Sequence, residues 1–182
     1  LATPTVALDS RKANKQVAVS GFYIANFKAP LQRDKDGVVS DWEVALLQVD
    51  GINPPSGILV VRGLWSDRLL NPEVAMSTRI ELVGTTQPHQ NDDRAENVPG
   101  VMSRLDSSVI VGQADLQLYD GFIVAQSEVT GSGELIRTRV VAEVPVSRVA
   151  GYYWQHISYV AIWWLMAAIV LYLPFYRRRI AS

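Results

Sequence analysis

The residues best suited to chemistry in this sequence lie on one face of an apolar run near its C-terminus. His156, Tyr159 and Trp163 are three and four positions apart, and at 100° per residue they share a helical face with Val160. A neutral imidazole beside flat aromatic rings can act as a nitrogen donor at physiological pH. An interfacial side chain that hydrogen-bonds water or lipid headgroups would give the same pattern, so both roles remain open.

Two other places carry residue types that could bind a ligand. His89 with Asp92 and Asp93 combines metal-ligand types, but the surrounding loop is rich in Gln, Asn and Pro, which favours solvated side chains. Arg62 carries a planar guanidinium that matches a carboxylate. It lies in a predicted strand, where an ion pair with a nearby acid is the alternative.

The sequence lacks the residue sets of an enzyme. It has no cysteine, three methionines and two histidines, which excludes disulfides, thiolate metal sites and Met-rich or His-rich copper sites. It also contains no Ser/His/Asp set, no glycine-rich phosphate loop and no pair of carboxylates on one element. We therefore expect no enzymatic activity.

The apolar run that carries His156 is long enough to cross a bilayer. Residues 149–176 contain no Asp, Glu, Lys or Arg, whereas a helix needs about 20 residues to cross the hydrocarbon core. We predict a transmembrane helix over residues 152–176, with a buried core helix as the alternative. Aromatic residues suited to the two membrane interfaces stand at both ends of the run: Tyr152, Tyr153, Trp154, Tyr172, Phe175 and Tyr176.

Charged residues predict the orientation of that helix. Three arginines at 177–179 follow the run, against Arg148 on the other flank, which places the basic tail, residues 177–182, in the cytoplasm. Residues 1–148 carry 14 Lys and Arg against 18 Asp and Glu, a net charge of −4. An acidic domain outside the cytoplasm argues against a nucleic-acid partner.

The preceding part of the chain, residues 16–148, has the pattern of an extracytoplasmic β-domain. Turn residues between 42–49 and 57–65 predict an antiparallel hairpin, and Gly131-Ser132-Gly133 predicts another. We expect a mainly β fold, a small barrel or sandwich with one short helix, in which residues 1–15 follow an anchor that this chain does not contain. The predicted strands are 15–25, 42–49, 57–65, 78–85, 121–129 and 135–144.

The segment at 104–122 has no clear period. Its Val109, Ile110 and Val111 favour a strand, whereas Asp106 followed by Ser107 could cap a short helix. Both assignments remain open. The polar stretches 33–41 and 86–100 are predicted loops.

Four short motifs occur in order along the chain. They are VVRGLW at 60–65, RLD at 104–106, YDGF at 119–122 and HISYVAIWWLMA at 156–167. Together they resemble the Surfeit-locus family of cytochrome c oxidase assembly factors, whose members have an external β-rich domain between two transmembrane helices. The resemblance covers roughly residues 16–179, and the family's RLD-like motif opens a short helix.

Three positions depart from the family's pattern. Val61 stands where the family usually has Asn, Leu64 separates a Gly and a Trp that are normally adjacent, and Val160 replaces an Ala. A diverged member could therefore have become a resident subunit of the oxidase that it once helped to build.

The resemblance implies a function, a ligand and partners. Family members are thought to bind haem a, with the motif histidine as proposed iron ligand, which here is His156 beside Tyr159 and Trp163; Arg62 could reach a haem propionate. It implies an assembly or stabilising factor of a haem-copper oxidase in the cell membrane, the bacterial plasma membrane being favoured, with haem a as a transient ligand. The alternative is a resident accessory subunit of a respiratory supercomplex with no cofactor of its own. A third, weaker option is an unrelated single-pass membrane adaptor.

Overall fold

Strands make up most of the first part of the chain, and a long helix ends it. The computed structural model describes residues 14–70, 78–94, 98–112, 115–143 and 149–180, with side chains at all of these except 69–70, 149–153 and 175–180. The chain divides into two compact units, Leu1–Pro145 and Val146–Ser182. The elements are β1 (Gln16–Arg33), β2 (Val39–Val49), β3 (Ser56–Leu64), α1 (Trp65–Leu70), β4 (Arg79–Gln87), a 3₁₀ helix (Ser107–Ile110), β5 (Gln117–Thr130), β6 (Gly133–Glu134) and α2 (Val149–Ile180).

Five of the strands close into a barrel. β1 pairs antiparallel with β2 and β4, β2 with β3, and β4 with β5, while parallel pairing of β3 with β5 closes the ring. The order β1-β2-β3-β5-β4, with α1 between β3 and β4, is that of an OB-type Greek-key barrel. The predicted mainly β fold is confirmed, and of the two architectures considered it is the barrel.

β1 pairs with two neighbouring strands, and the two ladders overlap at Gly21 and Phe22. Its first part pairs with β4 and its second part with β2, and Gly21 lies opposite both Ile80 and Val49. A Cβ at Gly21 would lie 1.9 Å from the carbonyl oxygen of Gln48. Glycine is therefore required at position 21, where the backbone of β2 approaches this closely.

The middle strands are buried on both faces. Inside the barrel, all five strands contribute to one apolar cluster. Outside, a second cluster on β1, β2, β3 and β5 is covered by Met102, Leu105 and Ile110 from the chain between β4 and β5, and by Val140 and Ala142. Two-sided burial explains why β2 and β3 carry nearly continuous apolar runs rather than strict alternation.

Two local predictions are decided by the backbone. The hairpin of 42–49 with 57–65 is confirmed, since Leu47 lies opposite Ile58 in an antiparallel ladder. The ambiguous segment contains the 3₁₀ helix, whose cap is Asp106: its Oδ1 accepts a hydrogen bond from the amide of Ser108 at 2.9 Å. α1 was not predicted, and Trp65, assigned to a strand, begins it.

The predicted strand at 135–144 is wrong. β6 ends at Glu134, and the following chain crosses the end of the barrel instead of pairing along a strand. The carbonyl of Thr138 accepts a hydrogen bond from the amide of Leu64 at 3.3 Å, and its own amide donates to Asp67 at 2.6 Å. Gly63 permits this crossing because a Cβ there would lie 2.5 Å from the Thr138 carbonyl oxygen. Residue 144 lies outside the described residues.

The helix α2 contains the whole predicted span of 152–176. Its segment Trp154–Pro174 is the one helix in the described parts of the chain that is long and apolar enough to cross a membrane. The side chains described along that segment are exposed. Pro174 lies inside the helix near its C-terminal end.

Candidate functional site

The predicted stripe of His156, Tyr159 and Trp163 lies on the continuous helix α2. Regular helical geometry puts these residues within one face, together with Val160. Tyr159, Val160 and Trp163 are each more than half exposed. The stripe therefore presents an imidazole and two aromatic rings on the outside of a membrane-length helix, where another molecule could contact them.

Arg62 belongs to the other unit and lies inside the barrel. Its side chain is fully buried and forms a fork with Glu128, with Nε 2.8 Å from Oε1 and Nη2 3.0 Å from Oε2. Its Nη1 lies 3.2 Å from Oε1 of Glu43, and its guanidinium stacks 4.3 Å above the Tyr23 ring. The guanidinium is thus occupied by two internal carboxylates and is not exposed to an incoming propionate, which is the ion-pair alternative considered for this residue.

Three further arginines surround the buried pair of Arg62 and Glu128. We call the whole group the ion cluster; its members are Tyr23, Glu43, Arg62, Arg68, Glu128, Arg137 and Arg139. Arg68 and Arg137 both donate to Glu43, the former at 3.0 Å. Arg139 donates to the carbonyl oxygens of Arg62 and Leu135, at 2.9 and 3.0 Å. The segment that crosses the barrel end is therefore held by two of its own arginines.

The environment of the ion cluster fixes the protonation states of two members. Burial alone would raise the pKa of the Glu128 carboxyl, but the hydrogen bonds and charge of Arg62 hold that pKa below its usual value. Burial and the neighbouring Glu128 charge raise the pKa of Tyr23 well above its usual value. Glu128 is therefore ionised and Tyr23 is neutral, so the Tyr23 hydroxyl donates to the carboxylate.

A second polar group lies in an open groove of about 470 Å³ beside the 3₁₀ helix. There Nδ1 of His89 lies 2.7 Å from Oδ1 of Asp120, with Asp106 also on the wall. Asp92, considered with His89 from the sequence, instead pairs with Arg94 at 2.5 Å. Within the described ranges, no three His, Cys, Asp or Glu side chains are grouped so that they could hold a metal ion.

The sequence contained a signal for the ion cluster. Glu43, Arg62 and Glu128 are each the one charged residue of a predicted strand, 42–49, 57–65 and 121–129 respectively, and a charge in a strand that becomes buried needs a partner. The identity of each partner could not be found in this way, because Glu128 lies 66 positions from Arg62.

Comparisons with known proteins identify no relative of this chain. No family model, no curated protein and no solved structure matches this chain significantly.

Proposed function

We propose that this chain is a membrane-anchored partner of a haem-copper cytochrome c oxidase, which it helps to assemble or stabilise. The observation that carries the proposal is the exposed His156, Tyr159 and Trp163 stripe on a helix of membrane-crossing length. The ordered motifs that resemble the Surfeit-locus family support the same function. In this role haem a is a transient ligand, and His156 is the residue that would offer a nitrogen to its iron.

The barrel supports a role in binding rather than in chemistry. Its lumen holds the side chains of an apolar cluster and of the buried members of the ion cluster. The outer face of β2 and β3, with which OB-type barrels bind oligonucleotides, is covered by Met102, Leu105 and Ile110. This covering and the acidic charge of residues 1–148 support a protein and lipid environment rather than nucleic acid.

A resident accessory subunit is the second candidate, and a specific position favours it. Val61, where the family usually has Asn, is fully buried in the outer apolar cluster, so any contact that an amide makes in the family is replaced here by packing. In this case the stripe on α2 would pack against a neighbouring helix or lipid, and the chain would hold no haem.

The orientation predicts opposite labelling of two single-cysteine variants. The chain has no cysteine, so Val111→Cys on the barrel and Ser182→Cys in the tail each introduce one thiol. In intact cells, an impermeant maleimide should label Val111→Cys and should label Ser182→Cys only after permeabilisation, because the arginines at 177–179 hold the tail in the cytoplasm. Labelling of Ser182→Cys alone would reverse the proposed topology.

The haem role is tested with the chain purified from its native membrane. A visible spectrum of the wild type is compared with that of His156→Ala, with Gln155→Ala on the same helix as the control. If His156 ligates iron, pigment is lost in His156→Ala alone, because the substitution removes a donor at an exposed position and leaves the barrel core unchanged. Spectra without pigment in all three would remove haem from the proposal and favour the resident subunit, whereas equal pigment in all three would show that His156 is not the iron ligand.

A further inference from the structure

The β1–β2 hairpin exposes large apolar side chains at and beside its turn. Leu31 is 69% exposed and Val38 is 58% exposed, and Val39 beside them is also exposed. Val141, on the segment that crosses the barrel end, is exposed as well. We call these four residues the apolar tip; a cluster of this kind on one edge of a domain is typical of a contact surface.

The backbone holds Leu31 outward. Its φ is +53°, in the left-handed region that bulky residues seldom adopt, and it lies where the β1–β2 ladder shifts register between Ala29 and Gln32. The Leu31 amide donates to Oδ1 of Asp41 at 3.2 Å, and Asp41 is in turn paired with Lys28 at 2.8 Å. An irregularity of this kind re-aims a side chain and is frequent at functional positions.

The rest of the loop is also ordered by its own contacts. Oδ1 of Asp34 accepts hydrogen bonds from the amides of Asp36 and Val38, at 2.9 and 2.8 Å. These bonds turn the Asp34 carboxylate toward the loop backbone, while Arg33, Lys35 and Asp36 remain exposed. The tip therefore presents apolar side chains on an ordered backbone beside charges of both signs, and such charges can stay in the headgroup layer while the apolar side chains enter the acyl boundary.

The loop is fastened to the segment that leads toward α2. The amide of Lys35 donates to the Val141 carbonyl at 2.9 Å, and Asp34 forms an isolated bridge with Ala142. α2 begins at Val149, eight positions after Val141. The turn of the β1–β2 hairpin is thus joined to residues 141–142, near the end of the last described segment before α2.

We infer that the apolar tip is a second membrane contact, in which Leu31, Val38, Val39 and Val141 enter the interface of the bilayer crossed by α2. The inference rests on the membrane span in the proposed function, and it goes beyond that function because it assigns the barrel its own lipid-binding surface. Interfacial insertion of this kind reaches ~5–10 Å into the headgroup and acyl boundary. It limits the freedom of the barrel relative to the bilayer.

The test uses single-cysteine variants of the full chain, labelled with an environment-sensitive fluorophore. The variants are reconstituted in vesicles of phosphatidylethanolamine and phosphatidylglycerol, some of which contain lipid with a quencher near the headgroup. Leu31→Cys and Val38→Cys report on the tip. Val111→Cys is the matched control, since Val111 is 70% exposed and Leu31 is 69% exposed, but Val111 lies on the wall of the groove at His89.

Labels at Leu31→Cys and Val38→Cys should be quenched several-fold more than the label at Val111→Cys. Equal quenching of the three labels would overturn the inference. It would also be overturned if the tip labels changed their fluorescence only when oxidase was added, because the tip would then bind a protein. A label at Leu165→Cys on α2 distinguishes failure of the membrane span from failure of the tip contact. In separate vesicles, the quencher is placed deep in the acyl chains. If it does not quench the Leu165→Cys label, the membrane span itself fails; if it does and the tip labels remain unquenched by the headgroup quencher, only the second contact fails.

Discussion

Replacing Glu128 with Gln should destabilise the barrel by about 3–5 kcal/mol, which is the usual cost of removing one charge of a buried ion pair. The substitution keeps the shape of the side chain but removes the charge that faces both Nε and Nη2 of Arg62. Arg62 is then left fully buried with Glu43 as its remaining carboxylate partner, and the Tyr23 hydroxyl loses an ionised acceptor. Denaturant unfolding of the full chain in mild detergent measures the change in the free energy of unfolding.

The control for Glu128→Gln is Asp50→Asn, which breaks the exposed pair between Asp50 and Arg79 at 2.8 Å. Solvent screens that pair, so its loss should have a far smaller effect. If the two variants unfold at the same denaturant concentration, the ion cluster does not stabilise the barrel.

The pH dependence of the same comparison has a definite sign. Because the pKa of Glu128 is lower in the folded protein than in the unfolded chain, the folded state binds fewer protons, and the contribution of this carboxylate is fully present above the unfolded value of about 4.3. It is lost as the pH falls through the folded pKa. The stability difference between wild type and Glu128→Gln should therefore be constant near neutral pH and shrink in acid below about pH 4.

Gly21→Ala should also destabilise the barrel strongly, by about 3 kcal/mol, at the upper end of the range for overpacking. The added methyl group would lie 1.9 Å from the carbonyl oxygen of Gln48, a backbone atom that a change of rotamer cannot move. One of the two ladders of β1 must then open, and amide hydrogen exchange should report the loss of protection in β1 and in β2 or β4.

Gly131→Ala is the matched control for that substitution. A methyl group at Gly131 would meet no atom within 4 Å beyond its neighbours in the chain, so this replacement should change stability by less than about 0.5 kcal/mol. Similar unfolding of both variants would mean that the overlap at Gly21 does not determine the closure of the barrel.

Local sequence patterns predicted the parts of the fold that depend on neighbours along the chain. The hairpin of β2 and β3 follows from two apolar runs separated by turn residues, and α2 follows from an uninterrupted apolar run. α1 was missed because six residues are too few for a helical period, and short helices depend on tertiary packing. The sequence around Val109 was ambiguous because strand propensity and a capping residue pointed in opposite directions.

The features that could not be predicted depend on distant parts of the chain. Segment 135–144 alternates like a strand, yet its arginines turn to Glu43 and to the Arg62 carbonyl, which the local pattern does not contain. The same holds for Arg62, whose carboxylate partners come from β2 and β5. The groove at His89 was also missed, since Asp120 lies 31 positions away on another element.

The central proposal, that this chain is the membrane partner of a haem-copper oxidase, is tested most directly by its stoichiometry. An affinity-tagged chain is purified from its native membrane in mild detergent, and the recovered oxidase subunits are quantified by mass spectrometry. We expect a haem-copper oxidase to co-purify, in less than one copy per chain for an assembly factor and in one copy per chain for a resident subunit. Recovery of the intact chain from the membrane without any oxidase subunit would contradict the proposal.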